Sequence, residues 1–295
     1  MATNTAVLAG LAIVVGQALI NVGAALGKSV FPAVGPEGVA ALRTSIAAMI
    51  LLAVGRPWRF TISWRQWAYL GAYGIAIGWM NLLIYWAFEL IPIGVAVAIE
   101  ISGPLAVVLI TSRSARDFIW LALAVVSVLL ITPWPGNEAH VDPLGIAFAL
   151  GAAAWWALYI VVGKYASEVH GPAAVSLGMT VACFVTVPFG VAAAGTKLLA
   201  TDILIIGIVV ALLSSAIPYS LEMKALERLT SRTFGMITSG APAIAAVVGF
   251  LFLGEELDLL QWLAVGTMVI ASAGCSWTRR AVPDQRAEEA IISST

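Results

Sequence analysis

The stretch IPIGVAVAIEISGPLAVVLIT, residues 91–111, decides the fold, because one carboxylate and one proline interrupt an apolar segment long enough to cross a bilayer. A carboxylate such as Glu100 costs about 2.5–3.5 kcal/mol in hydrocarbon on insertion scales and is therefore a functional candidate by default. Pro104 has no N–H, so the Glu100 carbonyl four residues earlier lacks its helical partner. The stretch predicts a broken transmembrane helix of the kind that forms substrate sites in secondary transporters.

The composition of the whole chain excludes a soluble domain. Hydrophobic residues make up 61% and charged residues 11% of the 295 residues, and the mean hydropathy is +0.99, whereas a soluble domain carries about 25% charged residues. We predict an all-α, polytopic membrane protein that is embedded in the lipid bilayer. Its ten predicted spans are 7–27, 38–55, 67–88, 92–111, 117–133, 143–163, 173–194, 203–225, 233–253 and 260–278.

The basic residues predict the orientation. If the amino terminus is cytoplasmic, twelve of the fifteen Lys and Arg residues lie on the cytoplasmic side. The opposite side then keeps only Lys28 and Lys197, and Arg43 lies within a span. Because loop Lys and Arg accumulate on the cytoplasmic side, we expect both termini there, in a multi-pass protein of a bacterial inner membrane.

A weak internal repeat divides the chain. A shift of 138 residues places Glu89 on Glu227 and Pro104 on Pro242. Five spans in each half, an odd number, would make the second half enter the membrane from the opposite face, which predicts two inverted-topology five-helix repeats. The predicted boundaries are 1–133 for the first repeat, 134–142 for an external connection, 143–279 for the second repeat and 280–295 for a cytoplasmic tail.

Polar residues within the first span share one helix face. Gln17, Asn21 and Lys28 lie at offsets of +4 and +11, within about 40° of one another at 3.6 residues per turn. They either contribute to a substrate site or have structural roles. The structural alternative is interhelical hydrogen bonding by the two amides and a Lys28 that extends to the membrane edge.

Arg43 and Glu100 lie at comparable depths in the second and fourth spans. One interpretation is a structural ion pair, or an Arg43 that caps carbonyls freed by a helix break. The other interpretation is that Arg43 receives the carboxylate of a substrate and Glu100 receives its ammonium group. The hinges that would open the cavity are predicted at Gly103, Pro104 and Pro242.

The eighth span repeats this combination of proline and carboxylate. Pro218 frees the Ser214 carbonyl and is a further hinge candidate, while Ser215, Tyr219 and Glu222 share one face. Glu222 is a candidate for proton coupling, together with Glu100, because a carboxylate facing a cavity can carry a proton. The alternative is an interfacial residue that pairs with a nearby Lys or Arg.

Aromatic and amide residues could line the same cavity. These residues are Trp155 and Tyr159 on the sixth span and Asn81 and Tyr85 on the third. Aromatic residues at helical spacing also pack helices together, so both interpretations remain open.

Other function classes fit the sequence less well. An intramembrane serine hydrolase would need a base near Ser102 or Ser239, but His140 and His170 fall in loops on opposite sides. A channel would need a continuous polar lining. No GxGxxG, P-loop, HExxH or CxxC pattern occurs, so we expect no metal, no cofactor and no nucleic-acid partner.

Nine segments resemble bacterial threonine/homoserine exporters, which are EamA-type members of the drug/metabolite transporter superfamily. They are Gly27-Lys28-Ser29, Ala41-Leu42-Arg43, PIGVAVAIE (92–100), GPLAV (103–107), WALY (156–159), HGP (170–172), PYSLEM (218–223), RTFG (232–235) and FLGE (252–255). The resemblance implies a ten-span inner-membrane exporter of small neutral amino acids, driven by protons or another coupling ion. A drug or metabolite exporter with a different substrate on the same fold is the alternative. Ala241 departs from the pattern, because family members often carry a glutamate before the second-half proline.

Overall fold

The computed structural model describes residues 2–59, 61–111, 115–131, 141–166, 171–218, 221 and 237–278. Every regular element within these ranges is a helix, which confirms the all-α class. Tyr219, Glu222, most of the predicted connection and the whole predicted tail lie outside the described residues.

Three long helices open the chain: α1 (Ala2–Ser29), α2 (Phe31–Gly55) and α3 (Trp64–Leu90). Helix α2 begins seven residues before its predicted start, because the residues on both sides of Gly35 are helical and only Gly35 itself breaks the helix. Gly35 has φ 70°, a conformation that glycine adopts without a Cβ penalty. A capping box at Ser63 starts α3, where the Gln66 N–H donates to the Ser63 hydroxyl and the Ser63 N–H donates to the Gln66 side chain.

The fourth predicted span is two helices, α4 (Ile93–Glu100) and α5 (Ser102–Thr111), with the break at Ile101. The remaining helices are α6 (Ala115–Ile131), α7 (Pro143–Ala166), α8 (Gly171–Ala194), α9 (Thr201–Ala211), α10 (Ala241–Val248) and α11 (Leu259–Thr278). A π-helical turn continues α9 at Leu212–Ala216, and another continues α10 at Gly249–Leu253. Short 3₁₀ helices occupy Pro57–Arg59 and Gly195–Leu199.

Small residues let the helices approach closely. A Cβ on Gly94 of α4 would lie 2.6 Å from the Ala246 Cα of α10, so these two helices touch backbone to backbone. Helices α2 and α8 meet where the Thr44 and Thr186 hydroxyls lie 2.6 Å apart. Helices α6 and α11 pack together beside Gly274, and α3 packs on both α7 and α8. Such small-residue contacts are typical of helix packing in membranes.

The outer surface of the bundle is apolar. Phe184, Val54, Phe250 and Trp277 are among many large hydrophobic side chains that are exposed. Of the helices in the described ranges, α1, α2, α3, α7 and α8 are long and apolar enough to cross a membrane, and five shorter apolar segments accompany them. An apolar exterior of this extent fits contact with lipid rather than with water.

The contact between α4 and α10 predicts a strong effect of one added methyl group. We expect Gly94→Ala to destabilise the protein by about 1–3 kcal/mol, because the methyl group meets the backbone of Ala246 and overpacks the crossing. Unfolding of the purified protein in detergent by a graded denaturant measures the change.

Gly71→Ala in α3 is the matched control. No atom lies within 4 Å of a Cβ placed there, so the same change should be neutral or stabilise the helix by about 0.5–1 kcal/mol. Equal losses from both substitutions would contradict the close packing of α4 on α10.

Candidate functional site

The break between α4 and α5 positions Glu100. Helix α4 ends at this residue, and the Ile101 N–H still donates to the Val97 carbonyl at 3.1 Å. The helical pattern restarts when the Leu105 N–H donates to the Ile101 carbonyl at 3.4 Å. Because Pro104 has no N–H, the carbonyl of Glu100 receives no bond from it. The half-buried Glu100 side chain therefore lies at a point where a backbone carbonyl also lacks its helical hydrogen-bond donor.

Arg43 of α2 lies between three polar partners. Its guanidinium donates to the Ser214 carbonyl at 3.3 Å and lies 5.8 Å from the centre of the Tyr85 ring. It also interacts electrostatically with Glu100. We call Arg43, Tyr85, Glu100 and Ser214 the central polar cluster. Of the two structural interpretations that the sequence offered, the capping of a freed carbonyl occurs at Arg43, and an ion pair with Glu100 stays a prediction.

Ser214 enters the cluster through an irregular piece of helix. It lies in the π-helical turn Leu212–Ala216, where the Ile217 N–H donates to the Leu212 carbonyl. Pro218 follows and cannot offer an N–H to the Ser214 carbonyl. That carbonyl is accordingly available to Arg43. The sequence predicted from Pro218 that the Ser214 carbonyl is free, but it did not predict that Arg43 bonds to this carbonyl.

Helix α1 lies beside the cluster. Gln17 and Asn21 are buried, and the Asn21 amide donates to the Gln17 carbonyl at 2.8 Å within its own helix. Two residues after Asn21, on a different face of the helix, Gly23 packs so closely on Ser214 that a Cβ would overlap the serine hydroxyl. Gly27 lies against Tyr85, whose hydroxyl would be 3.5 Å from a Cβ at that position. Helix α1 therefore contacts the cluster at two glycines, which have no side chain to separate the helices.

Lys28 has a partner that the sequence analysis did not name. Its Nζ lies 2.7 Å from Glu255 Oε1, and it also donates to the Ile91 carbonyl at 3.4 Å. The second oxygen of Glu255 accepts the Ile93 N–H at 2.9 Å, at the start of α4. We call Lys28 and Glu255, together with the Ile93 N–H, the end latch. In this structure Lys28 faces a carboxylate of the protein, and its contact with a substrate carboxylate stays a prediction.

Local backbone explains how Glu255 reaches α4. Gly254 adopts a left-handed conformation with φ 66° and ends the π-helical turn. A Cβ on Gly249 would overlap a Glu255 carboxylate oxygen, so only glycine leaves room for this side chain. The signal in the sequence was the segment Phe252–Glu255, which contributes to the family resemblance.

The other predicted lining residues make packing contacts. Trp155 stacks on Trp79 at 6.3 Å between ring centres. Tyr159 stacks on Tyr73 at 5.0 Å, and their hydroxyls are 3.5 Å apart. The Asn81 amide donates to the Ile77 carbonyl of its own helix at 2.8 Å. These contacts join α3 to α7 or stay within α3, and a direct role with substrate stays a prediction.

The predicted hinges occupy different environments. Gly103 packs on α7 so tightly that a Cβ would overlap the Ala153 carbonyl. Pro242 is buried in the first turn of α10, two residues after Gly240. Pro218 is buried beyond the π-helical turn, and Pro104 is half-buried. Their function as hinges stays a prediction.

Known proteins similar to this chain are transporters. Residues 143–277 match the model of the EamA-like transporter family. The threonine/homoserine exporter RhtA of Escherichia coli (strain K12) is 46% identical over 268 residues, which cover 91% of each chain. The RhtA protein of Salmonella typhimurium (strain LT2) is 46% identical over 273 residues, which cover 92% of each chain. The uncharacterized transporter YcbK of Bacillus subtilis is 24% identical over 158 residues, or 51% of each chain.

A solved crystal structure has the same overall fold. It superposes with a TM-score of 0.57, and the match covers 95% of this chain and 98% of that chain. The two sequences are 17% identical, so this likeness concerns the fold alone.

The end latch predicts a stability effect. We expect Lys28→Met to destabilise the protein by about 1–3 kcal/mol, because it leaves the half-buried Glu255 carboxylate without its cation. Thermal unfolding of the purified protein measures the loss. Lys197→Met, which removes an exposed lysine in the 3₁₀ helix Gly195–Leu199, should change stability by less than about 0.5 kcal/mol.

A charge swap separates pairing from capping. The double variant Lys28→Glu with Glu255→Lys restores opposite charges but removes the acceptor of the Ile93 N–H. It should therefore recover only part of the lost stability. Full recovery would show that the contact with the Ile93 N–H contributes nothing.

Proposed function

The chain belongs to the EamA-like transporter family, and from this we propose that it exports small neutral amino acids of the threonine and homoserine type across the bacterial inner membrane. Relatives named threonine/homoserine exporters share 46% identity over nine-tenths of the chain. The observation that supports the proposal in the structure is Arg43, which bonds to the Ser214 carbonyl, lies over the Tyr85 ring and interacts electrostatically with Glu100 beside a broken helix.

The proposed architecture has ten spans in two inverted five-helix repeats, residues 1–133 and 143–279. Helices of equal rank in the two halves pack together: α2 on α8, α4 on α10 and α6 on α11. Packing of this kind is what a pseudo-two-fold axis in the membrane plane would require. The breaks at Ile101 and before Ala241 fall in the fourth span of each half. The connection 134–142 is external in this scheme, and the tail 280–295 is cytoplasmic with the amino terminus.

The central polar cluster suits a zwitterion. A guanidinium binds a carboxylate through two parallel hydrogen bonds, and a carboxylate such as Glu100 attracts an ammonium group. A cargo with both charges therefore matches the cluster in sign, whereas an uncharged metabolite matches neither group. Gln17 and Asn21 are buried on a different face of α1 from Gly23 and Gly27, which contact the cluster, and a contact of their amides with the cargo is part of the proposal.

Alternating access would explain why the central polar cluster and the end latch lie at different positions along the bundle. With the amino terminus inside, the end latch lies at the periplasmic end of the bundle, between α1, α4 and the turn after α10. Opening to the periplasm then requires Lys28 and Glu255 to separate. The breaks next to Gly103, Pro104 and Pro242 let the half-helices tilt while the rest of each helix stays packed.

The decisive experiment measures transport into inside-out vesicles with an imposed proton gradient. We expect uptake of labelled threonine and homoserine by the wild-type protein. Arg43→Ala should lower this uptake by at least about tenfold, equivalent to about 1.4 kcal/mol, because the cargo's carboxylate loses its cation. Arg43→Lys should recover it only in part, since an ammonium group cannot bind the carboxylate in the same bidentate way.

Arg65→Ala is the control for Arg43→Ala, because it removes an exposed arginine at the start of α3. Its transport should equal that of the wild type. Normal transport by a well-folded Arg43→Ala protein would exclude the proposed contact with the carboxylate.

Coupling to protons has a separate test. The proposed coupling group is Glu222, with Glu100 as the second candidate. Glu222→Gln keeps the size of the side chain but cannot release a proton. Uptake by this variant should no longer respond to the imposed pH gradient, although exchange of labelled for unlabelled threonine should persist. An unchanged response to the gradient would remove Glu222 from the coupling mechanism.

A further inference from the structure

Four buried hydroxyl groups in the described part of the chain, one of them on Thr238, have no hydrogen-bond partner. The other three lie in or next to the central polar cluster. They belong to Tyr85, Ser214 and Ser215, whose exposed fractions are 0%, 1% and 0%. A hydroxyl group in a membrane interior normally finds a partner inside the protein, because no water is present to serve it. An unpartnered group at this depth therefore needs an explanation.

Several other buried hydroxyl groups in the described part of the chain do find partners. Thr44 donates to the Ala40 carbonyl at 2.9 Å, and Thr186 donates to the Ala182 carbonyl at 3.3 Å. Ser127 donates across a helix interface to the Ala264 carbonyl at 2.8 Å. Serine and threonine in helices commonly bond to the carbonyl one turn back. Ser214 and Ser215 depart from this habit in the π-helical turn, a feature that is frequent at functional sites.

The Tyr85 and Ser214 hydroxyls lie along one face of α1. Ser214 packs on Gly23 and Tyr85 packs on Gly27, which is one turn further along the helix. Residues four apart on a helix are about 5–6 Å apart. A Cβ at Gly23 would overlap the Ser214 hydroxyl, whereas a Cβ at Gly27 would lie in van der Waals contact with the Tyr85 hydroxyl at 3.5 Å.

Arg43 links these hydroxyl groups to the proposed contact with the cargo's carboxylate. Its guanidinium donates to the Ser214 carbonyl and lies over the Tyr85 ring. The two residues that carry these hydroxyl groups thus both contact the Arg43 guanidinium, which would hold the cargo's carboxylate. In threonine and homoserine, the side-chain hydroxyl lies only a few bonds from the carboxylate.

We propose that the Tyr85 and Ser214 hydroxyls, with Ser215 beside them, form a subsite for the side-chain hydroxyl of the transported amino acid. This inference rests on the proposed function and specifies its substrate class as hydroxyl-bearing amino acids. Bound cargo completes the hydrogen bonds that the protein leaves unmade. A cargo without the hydroxyl leaves the subsite unsatisfied and is transported less well.

The test compares cargoes that differ only in the hydroxyl group. The probe without it is 2-aminobutyrate, which corresponds to both threonine and homoserine after removal of the hydroxyl. For the wild-type protein in inside-out vesicles, we expect uptake of threonine and homoserine to exceed that of 2-aminobutyrate by at least about tenfold. The double variant Tyr85→Phe with Ser214→Ala should reduce this preference, measured as the ratio of the two uptakes in the same vesicles, to about unity.

Stability separates this function from a structural one. Because the two hydroxyls have no partner in the described structure, their removal should leave the unfolding temperature unchanged or raised. Ser127→Ala is the matched control, since it removes a buried serine hydroxyl that has a partner between α6 and α11. It should lower the unfolding temperature and keep the wild-type preference for hydroxyl-bearing cargo.

The outcomes distinguish the two proposals. If the wild type transports threonine and the double variant keeps the full preference, the subsite is wrong and the proposed function stands. If the wild type transports threonine and 2-aminobutyrate equally well, the subsite is again wrong. If the wild type transports none of these amino acids, both proposals fail. If the double variant is unstable, the single variants Tyr85→Phe and Ser214→Ala decide, since each should lower the preference in part.

Discussion

The contact between the Arg43 guanidinium and the Ser214 carbonyl is the interaction on which the centre of the molecule depends. A membrane interior contains no water, so a carbonyl released by a helix break must find its donor inside the protein. Pro218 withholds the normal donor, and Arg43 supplies another from α2. The same guanidinium faces Tyr85 and Glu100. One side chain thus connects α2, α3, α4 and the π-helical turn, and it explains how an irregular backbone is tolerated there.

This cluster requires very close helix packing. Gly23 brings α1 onto the π-helical turn, and Gly94 brings α4 onto α10 at backbone distance. Larger residues would separate these helices and move the polar groups out of reach of one another. The small residues therefore do more than fill the bundle tightly. They set the distances between the charges and hydroxyl groups of the central polar cluster.

The end latch joins α1 and α4, two helices that also contribute to or contact the cluster, at one end of the bundle. Lys28 belongs to the helix that contacts Ser214 and Tyr85, and Glu255 holds the first N–H of the helix that ends at Glu100. A movement that separates the two charges also changes how α1 and α4 meet. In the proposed cycle, opening of the periplasmic end and rearrangement of the cluster are consequently one event.

The sequence by itself determined the helical class, the family and the break three residues before Pro104, because apolar composition, charge placement and proline act locally. It also identified Arg43 and Glu100, since charges within apolar spans are rare. It missed the start of α2, because Gly35 and Pro36 look like an end, and it missed the role of Glu255, because a charge at a span end is common. Only the tertiary structure decided that Lys28 meets a residue 227 positions away and that Arg43 meets Ser214. The physical reason is that local patterns specify each helix and its burial, whereas pairing between remote polar groups depends on distances that helix packing sets.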